Sequence, residues 1–129
     1  MNSPAARCVL LADGHTVPVD GVRGLLSTLF DSVVMVADVH SLLETAGKLN
    51  PSVSVVDISL AGSNNLEWVR QLRRTCPETR LVLLSVYSEP RVIEAALASG
   101  ADAVVLKSKI STELLPTVEQ ILGEAHRPS

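Results

Sequence analysis

Five short apolar runs recur along the chain, at residues 8–12, 33–37, 53–56, 81–84 and 103–106, and none of them alternates apolar with polar residues. Runs of this length without a period of two predict strands covered on both faces, as parallel sheets require. The stretches between them have helical spacing. Val22, Leu25, Leu26 and Leu29 fall at i, i+3, i+4 and i+7. Leu42, Leu43, Ala46 and Leu49 follow Ser41-x-x-Glu44, which reads as a capping box. Leu66, Val69, Leu72 and Arg73 precede Pro77, and Val92, Ile93, Ala96 and Leu97 precede Gly100, a residue suited to ending a helix. Leu114, Leu115, Val118, Ile121 and Leu122 mark the last helix. Pro116 would fall about one turn inside that helix if Ser111 caps it, so the spacing predicts either a start nearer Leu114 or a kink. Strand and helix alternate five times, which predicts an α/β doubly wound (βα)5 fold with a five-stranded parallel sheet between two helical layers.

A chain of 129 residues fits one domain, with a core over about residues 7–124 and a tail or linker start at 125–129. Aromatic residues make up only 2%, so the core must be aliphatic. The net charge of −3 argues against a nucleic-acid surface on this chain, since such surfaces need a basic stripe. Cys8 and Cys76 cannot form a disulfide framework, and Cys8, inside an apolar run, reads as a small buried hydrophobe. The first apolar run is too short for a signal peptide or a membrane span, so no membrane association is expected and a reducing cytoplasm is the expected compartment.

The chemistry collects at the ends of the runs. Asp13, Asp57, Ser85 and Lys107 each follow one directly. Open α/β sheets bind ligands outside the carboxyl ends of their strands, so two carboxylates, a hydroxyl and an ammonium should line one crevice. Two neighbouring carboxylates favour a hard divalent cation such as Mg²⁺, and a lysine and a hydroxyl beside them can hold anionic oxygens. Together they describe a site for a phosphoryl group. Asp57 and Lys107 should then approach within about 4 Å. No Gly-rich phosphate loop, Cys/His metal spacing or Ser-His-Asp order is present. His15 reads as a solvated loop residue, and His40 and His126 carry no signal.

Four segments carry a family resemblance: Val9-Leu10-Leu11-Ala12-Asp13-Gly14-His15, Val55-Val56-Asp57-Ile58-Ser59-Leu60, Leu83-Leu84-Ser85-Val86-Tyr87, and Gly100-Ala101-Asp102-Ala103-Val104-Val105-Leu106-Lys107. In order and spacing they resemble the motif blocks of response-regulator receiver domains from two-component systems, closest to those preceding a helix-turn-helix output domain of the NarL/LuxR type. The resemblance implies a flavodoxin-like sheet of order 2-1-3-4-5. It implies that Asp57 accepts a phosphoryl group from a sensor histidine kinase, and that Asp13, Asp57 and the backbone carbonyl of Ser59 hold Mg²⁺. Ser85 and Lys107 would bind the phosphoryl oxygens, so that the chain catalyses its own phosphorylation without being an enzyme in the usual sense. Contact with DNA would come only through an output domain outside this chain.

The chain departs from the family pattern in places. Gly14 stands where a second acid is usual, which should weaken Mg²⁺ binding. Val104 replaces a frequent aromatic, Ala61 a proline, Asn64-Asn65 an Asn-Gly pair, and Val86 a smaller residue. Two functions follow. One is a phosphorylatable switch that forms a weak homodimer through its last two helices, with Arg91 and Glu94 on one and Glu119, Gln120 and Glu124 on the other. The alternative is a pseudo-receiver, a dimerisation or protein-interaction module independent of phosphorylation, which Gly14 and Val104 favour. A flavodoxin is disfavoured, because Asp13 would repel a flavin phosphate.

Overall fold

The structure is a computed structural model that describes residues 7–13, 19–62 and 66–125. Gly14, His15, Asn64, Asn65 and His126, singled out above, lie outside the described residues. Strands β1 (Cys8–Ala12), β2 (Ser32–Val36), β3 (Val53–Asp57), β4 (Arg80–Ser85) and β5 (Ala103–Leu106) form one parallel sheet of order β2-β1-β3-β4-β5. Helices α1 (Val19–Leu26), α2 (Val39–Leu49), α3 (Glu67–Thr75) and α4 (Pro90–Ser99) alternate with them, and a short 3-10 turn (Lys107–Lys109) leads into α5 (Ile110–Ala125).

Successive side chains of a strand point to opposite faces, so each continuous apolar run feeds two cores. Val9, Leu11, Val53, Val55, Val82 and Leu84 pack under α1 and α5, against Leu26, Leu114 and Val118. Leu10, Val56, Leu81 and Leu83 pack under α2, α3 and α4, against Leu42, Trp68, Leu72 and Ala96. The inner strands β1, β3 and β4 are covered on both faces as expected. β2 is not: it begins one residue earlier than the apolar run suggests, lies at the sheet edge, and leaves Met35 45% exposed. An edge strand has a neighbour on one side only, so its apolar composition does not guarantee coverage.

The helix ends correct three further expectations. α2 begins before Ser41: Asp38 is its N-cap, its carboxylate accepting the Ser41 N–H at 2.7 Å, so Ser41-x-x-Glu44 is not the capping box. That bond holds the Asp38 carboxyl below its ordinary range. α1 ends at Leu26, leaving Leu29 in the following turn. α5 runs unbroken from Ile110 through Pro116 rather than starting near Leu114. Pro116 is exposed, so the Thr112 carbonyl that loses its helical partner lies on the solvent side, where water can satisfy it. Cys8 is only half-buried, being the first residue of β1, and the fully buried thiol is Cys76. Burial pushes both thiols up.

At the amino-terminal edge of the sheet Arg73 of α3 ties several elements together. Its guanidinium donates to the carbonyls of Thr79 and Gly100 and to Asp102, and Asp102 in turn accepts the Leu81 N–H at 2.8 Å. Gly100 ends α4 with φ at +126°, where a side chain would be strained, and an added Cβ would lie 3.3 Å from Val69.

Candidate functional site

Asp57 is the last residue of the central strand β3, Ser85 the last of β4, and Asp13 and Lys107 directly follow β1 and β5. Parallel strands end on the same side, so all four meet at the carboxyl edge of the sheet, as the sequence pattern requires. The Lys107 ammonium donates to Asp57 Oδ2 at 2.7 Å and lies 3.7 Å from Asp13 Oδ2. The Asp57, Asp13 and Lys107 side chains are only 3%, 5% and 11% exposed. One ammonium therefore serves two buried carboxylates, and the three groups carry a net charge of −1.

The other oxygen of Asp57 is held locally. Oδ1 accepts the Ser59 backbone N–H at 2.9 Å and the Ser59 hydroxyl at 2.8 Å. The sequence reading singled out only the Ser59 carbonyl and missed this side chain. The signal was present, since an Asp followed two residues later by Ser is a short-range turn pattern. Burial raises the Asp57 pKa, but the Lys107 ammonium and the two Ser59 donors outweigh it and hold the carboxyl below its ordinary value. Asp57 is thus ionised at neutral pH, which a carboxylate nucleophile must be.

Ser85 is buried yet not bonded to Asp57. Its hydroxyl lies 2.9 Å from the Tyr87 N–H, which donates to it, and 3.0 Å from the Tyr87 carbonyl, to which it donates. Val86 turns outward and is 68% exposed, whereas Val104 is half-buried on the α2–α4 side of the sheet.

Asp13, Asp57 and the Ser59 carbonyl offer oxygen ligands alone, a donor set that fits a hard divalent cation such as Mg²⁺ with water completing its shell. The net negative charge of the site supports the same fit. Among the described residues no third His, Cys, Asp or Glu joins them to make a metal cluster of protein ligands alone.

Sheet order, strand-end acids and the paired lysine define a known class. Residues 9–119 match the family model of the response regulator receiver domain, and the chain belongs to that family. It is of the kind found in NarL/LuxR-type regulators. It is 29% identical over 136 residues to the nitrate/nitrite response regulator protein NarL of Escherichia coli (strain K12), covering 99% of this chain and 63% of that protein. The signal receiver domain of the response regulator NarL from Mycobacterium tuberculosis is 28% identical and superposes with a TM-score of 0.77, covering 92% of this chain and 97% of that one. A LuxR-family two-component response regulator from Aurantimonas sp. SI85-9A1 shares the fold at a TM-score of 0.81 and 24% identity, over 93% of this chain and 87% of that one. The chain spans between about a third and two thirds of the length of the curated relatives it matches. Among the described residues no helix is long and apolar enough to cross a membrane.

Proposed function

We propose that Asp57 is the phosphoacceptor of a two-component phosphorelay in the cytoplasm, taking its phosphoryl group from a phosphohistidine of a sensor histidine kinase. The observation that carries this reading is the ionised, buried Asp57 carboxylate shared with Lys107 at 2.7 Å, at the end of the central strand of a receiver fold. In the transfer an Asp57 oxygen forms a bond to phosphorus as the bond from phosphorus to the histidine nitrogen breaks. That nitrogen keeps the electron pair, and a proton carried on the other ring nitrogen makes the departing imidazole neutral, leaving an acyl phosphate on Asp57. Both Asp57 oxygens hold donors beforehand, so the new bond displaces one of them. Lys107 then pairs with a phosphoryl oxygen, and Ser85 exchanges its bonds to Tyr87 for one to the same group. Asp13, Asp57 and the Ser59 carbonyl would hold Mg²⁺, which would supply positive charge against that gathering on the transferring group.

The readout is a weak homodimer through α4 and α5, whose exposed Arg91, Glu94, Glu119 and Gln120 set register. Exposed ion pairs are worth only about 0.2–1 kcal/mol each. DNA is contacted through an output domain outside this chain, as in a transcription regulator. Incubation with acetyl phosphate and Mg²⁺ should add the mass of one phosphoryl group and shift sedimentation toward dimer, and Asp57→Ala should abolish both. If the wild-type chain takes up no phosphoryl group, or dimerises to the same extent as Asp57→Ala, the switch reading is refuted.

A further inference from the structure

Next to Asp57, between the β3–α3 connection and α4, lies an open cavity of about 290 Å³. Ile58, Leu66, Val92 and Ala95 supply apolar walls, and among the described residues Arg91 is the single charged one of the lining. Arg91 is exposed and forms no ion pair within 4.0 Å among the described residues. Two further lining residues belong to the phosphoacceptor site. Ser59 holds Asp57 Oδ1 through its hydroxyl and N–H, and Tyr87 holds the Ser85 hydroxyl through its backbone.

We infer that this cavity is a ligand site for a small amphiphilic carboxylate, its apolar body against Val92, Ala95 and Leu66 and its head on Arg91. The volume lies at the small end of the range for ligand sites, about 300–1,000 Å³, which selects a small molecule over a folded partner. Apolar walls with one convergent charge describe how such sites fix orientation. A lone guanidinium matches a singly charged head and can grip a carboxylate with two parallel hydrogen bonds. Among the described residues no acidic side chain lines the cavity to repel it.

Placement makes the site regulatory. A ligand touching Ser59 and Tyr87 meets a residue that holds Asp57 and the residue whose bonds Ser85 gives up when Asp57 is phosphorylated, so ligand and phosphoryl group affect each other's binding by the same factor. This coupling rests on the proposed role of Asp57, whereas ligand binding itself does not.

Methyl NMR of the whole chain tests the two parts separately. Titration with octanoate, without phosphodonor, should shift the Ile58, Leu66, Val92 and Ala95 methyl resonances saturably. Arg91→Gln should weaken octanoate binding about fivefold or more, the upper range for an exposed ion pair, while leaving octanamide binding unchanged. Ala95→Trp, at an exposed position that tolerates bulk, should abolish binding of both. Unmoved pocket methyls, or octanoate affinity indifferent to Arg91→Gln, would overturn the site. Shifts of the Ile58 and Leu66 methyls, which lie outside α4, on raising protein concentration alone would assign the groove to a second copy of the chain and overturn it too. With beryllofluoride added as phosphoryl mimic, octanoate affinity should change about fivefold. An unchanged affinity overturns the coupling, and a failure of beryllofluoride to bind at all faults the role of Asp57 instead.

Discussion

Replacing Lys107 by methionine removes the ammonium from the site and keeps most of the apolar stem. Lys107 is the cation for two buried carboxylates, at 2.7 Å from Asp57 and 3.7 Å from Asp13. Removing one partner of a buried ion pair costs about 3–5 kcal/mol. Ser59 still donates two hydrogen bonds to Asp57 in the variant, so the lower end, about 3 kcal/mol, is expected at pH 7.5 with EDTA present. For a chain of this size that corresponds to roughly 12 °C in Tm. Urea unfolding followed by the fluorescence of Trp68, the single tryptophan and only 3% exposed, reads the difference. The loss should also depend on pH. In the wild-type chain the Asp57 pKa lies below its ordinary value of about 3.9, so its stabilising contribution is complete above that value. It disappears as pH falls through the lower folded pKa. In the variant burial acts without the ammonium to oppose it, the folded pKa rises, and stability is lost as pH climbs through it. The gap between the two proteins should therefore be widest at pH 7.5 and shrink toward pH 4. An equal gap at both ends would mean that Lys107 contributes packing rather than charge, and the electrostatic account of the site would fail.

Three other outcomes are expected. Arg73→Met should cost about 2 kcal/mol in urea unfolding, because two carbonyls and Asp102 lose charge-assisted donors. Gly100→Ala should cost about 2 kcal/mol in the same assay, from the positive φ and the contact with Val69. Gly14→Asp, which adds a carboxylate after β1, should tighten Mg²⁺ binding on the order of tenfold by calorimetry; no change would mean that residue 14 does not face the metal.

The sheet was legible because β1, β3 and β4 each carry a short, mostly apolar run with no alternation, a pattern that suits strands buried on both faces. β2 has the same composition but an edge position, and composition does not distinguish the two. Helical stripes were legible in spacing but not in width: Leu49 and Leu97 continue the stripes of α2 and α4 yet are 45% and 44% exposed. The boundary of α2 was misread because Asp38 and Ser41 are both competent caps, and only the backbone path decides between them. Asp13, Asp57, Ser85 and Lys107 were legible because a strand end fixes where its next residue points. The Asp57–Lys107 approach bears out that logic. The Ser59 hydroxyl escaped because its donated bond depends on how the loop turns, and Arg73 because its partners lie in two connections that only the fold brings together, Thr79 between α3 and β4, and Gly100 and Asp102 between α4 and β5.

Arg73 gives strand β4 one laced end, whereas its carboxyl end, among the described residues, has no such clamp of its own. At the laced end a single guanidinium spans the α3, β4 and α4–β5 backbones, so none of these can slide without breaking charge-assisted bonds. At the other end, among the described residues, the Ser85 hydroxyl is held only by its own loop. A disturbance at the carboxyl end therefore has one easy mode, a pivot of the β4–α4 loop about the anchored strand, while translation of the strand is blocked. Amide exchange should record this as a gradient along β4, slowest at Leu81, whose N–H rests on Asp102, and fastest in the turn beyond Ser85.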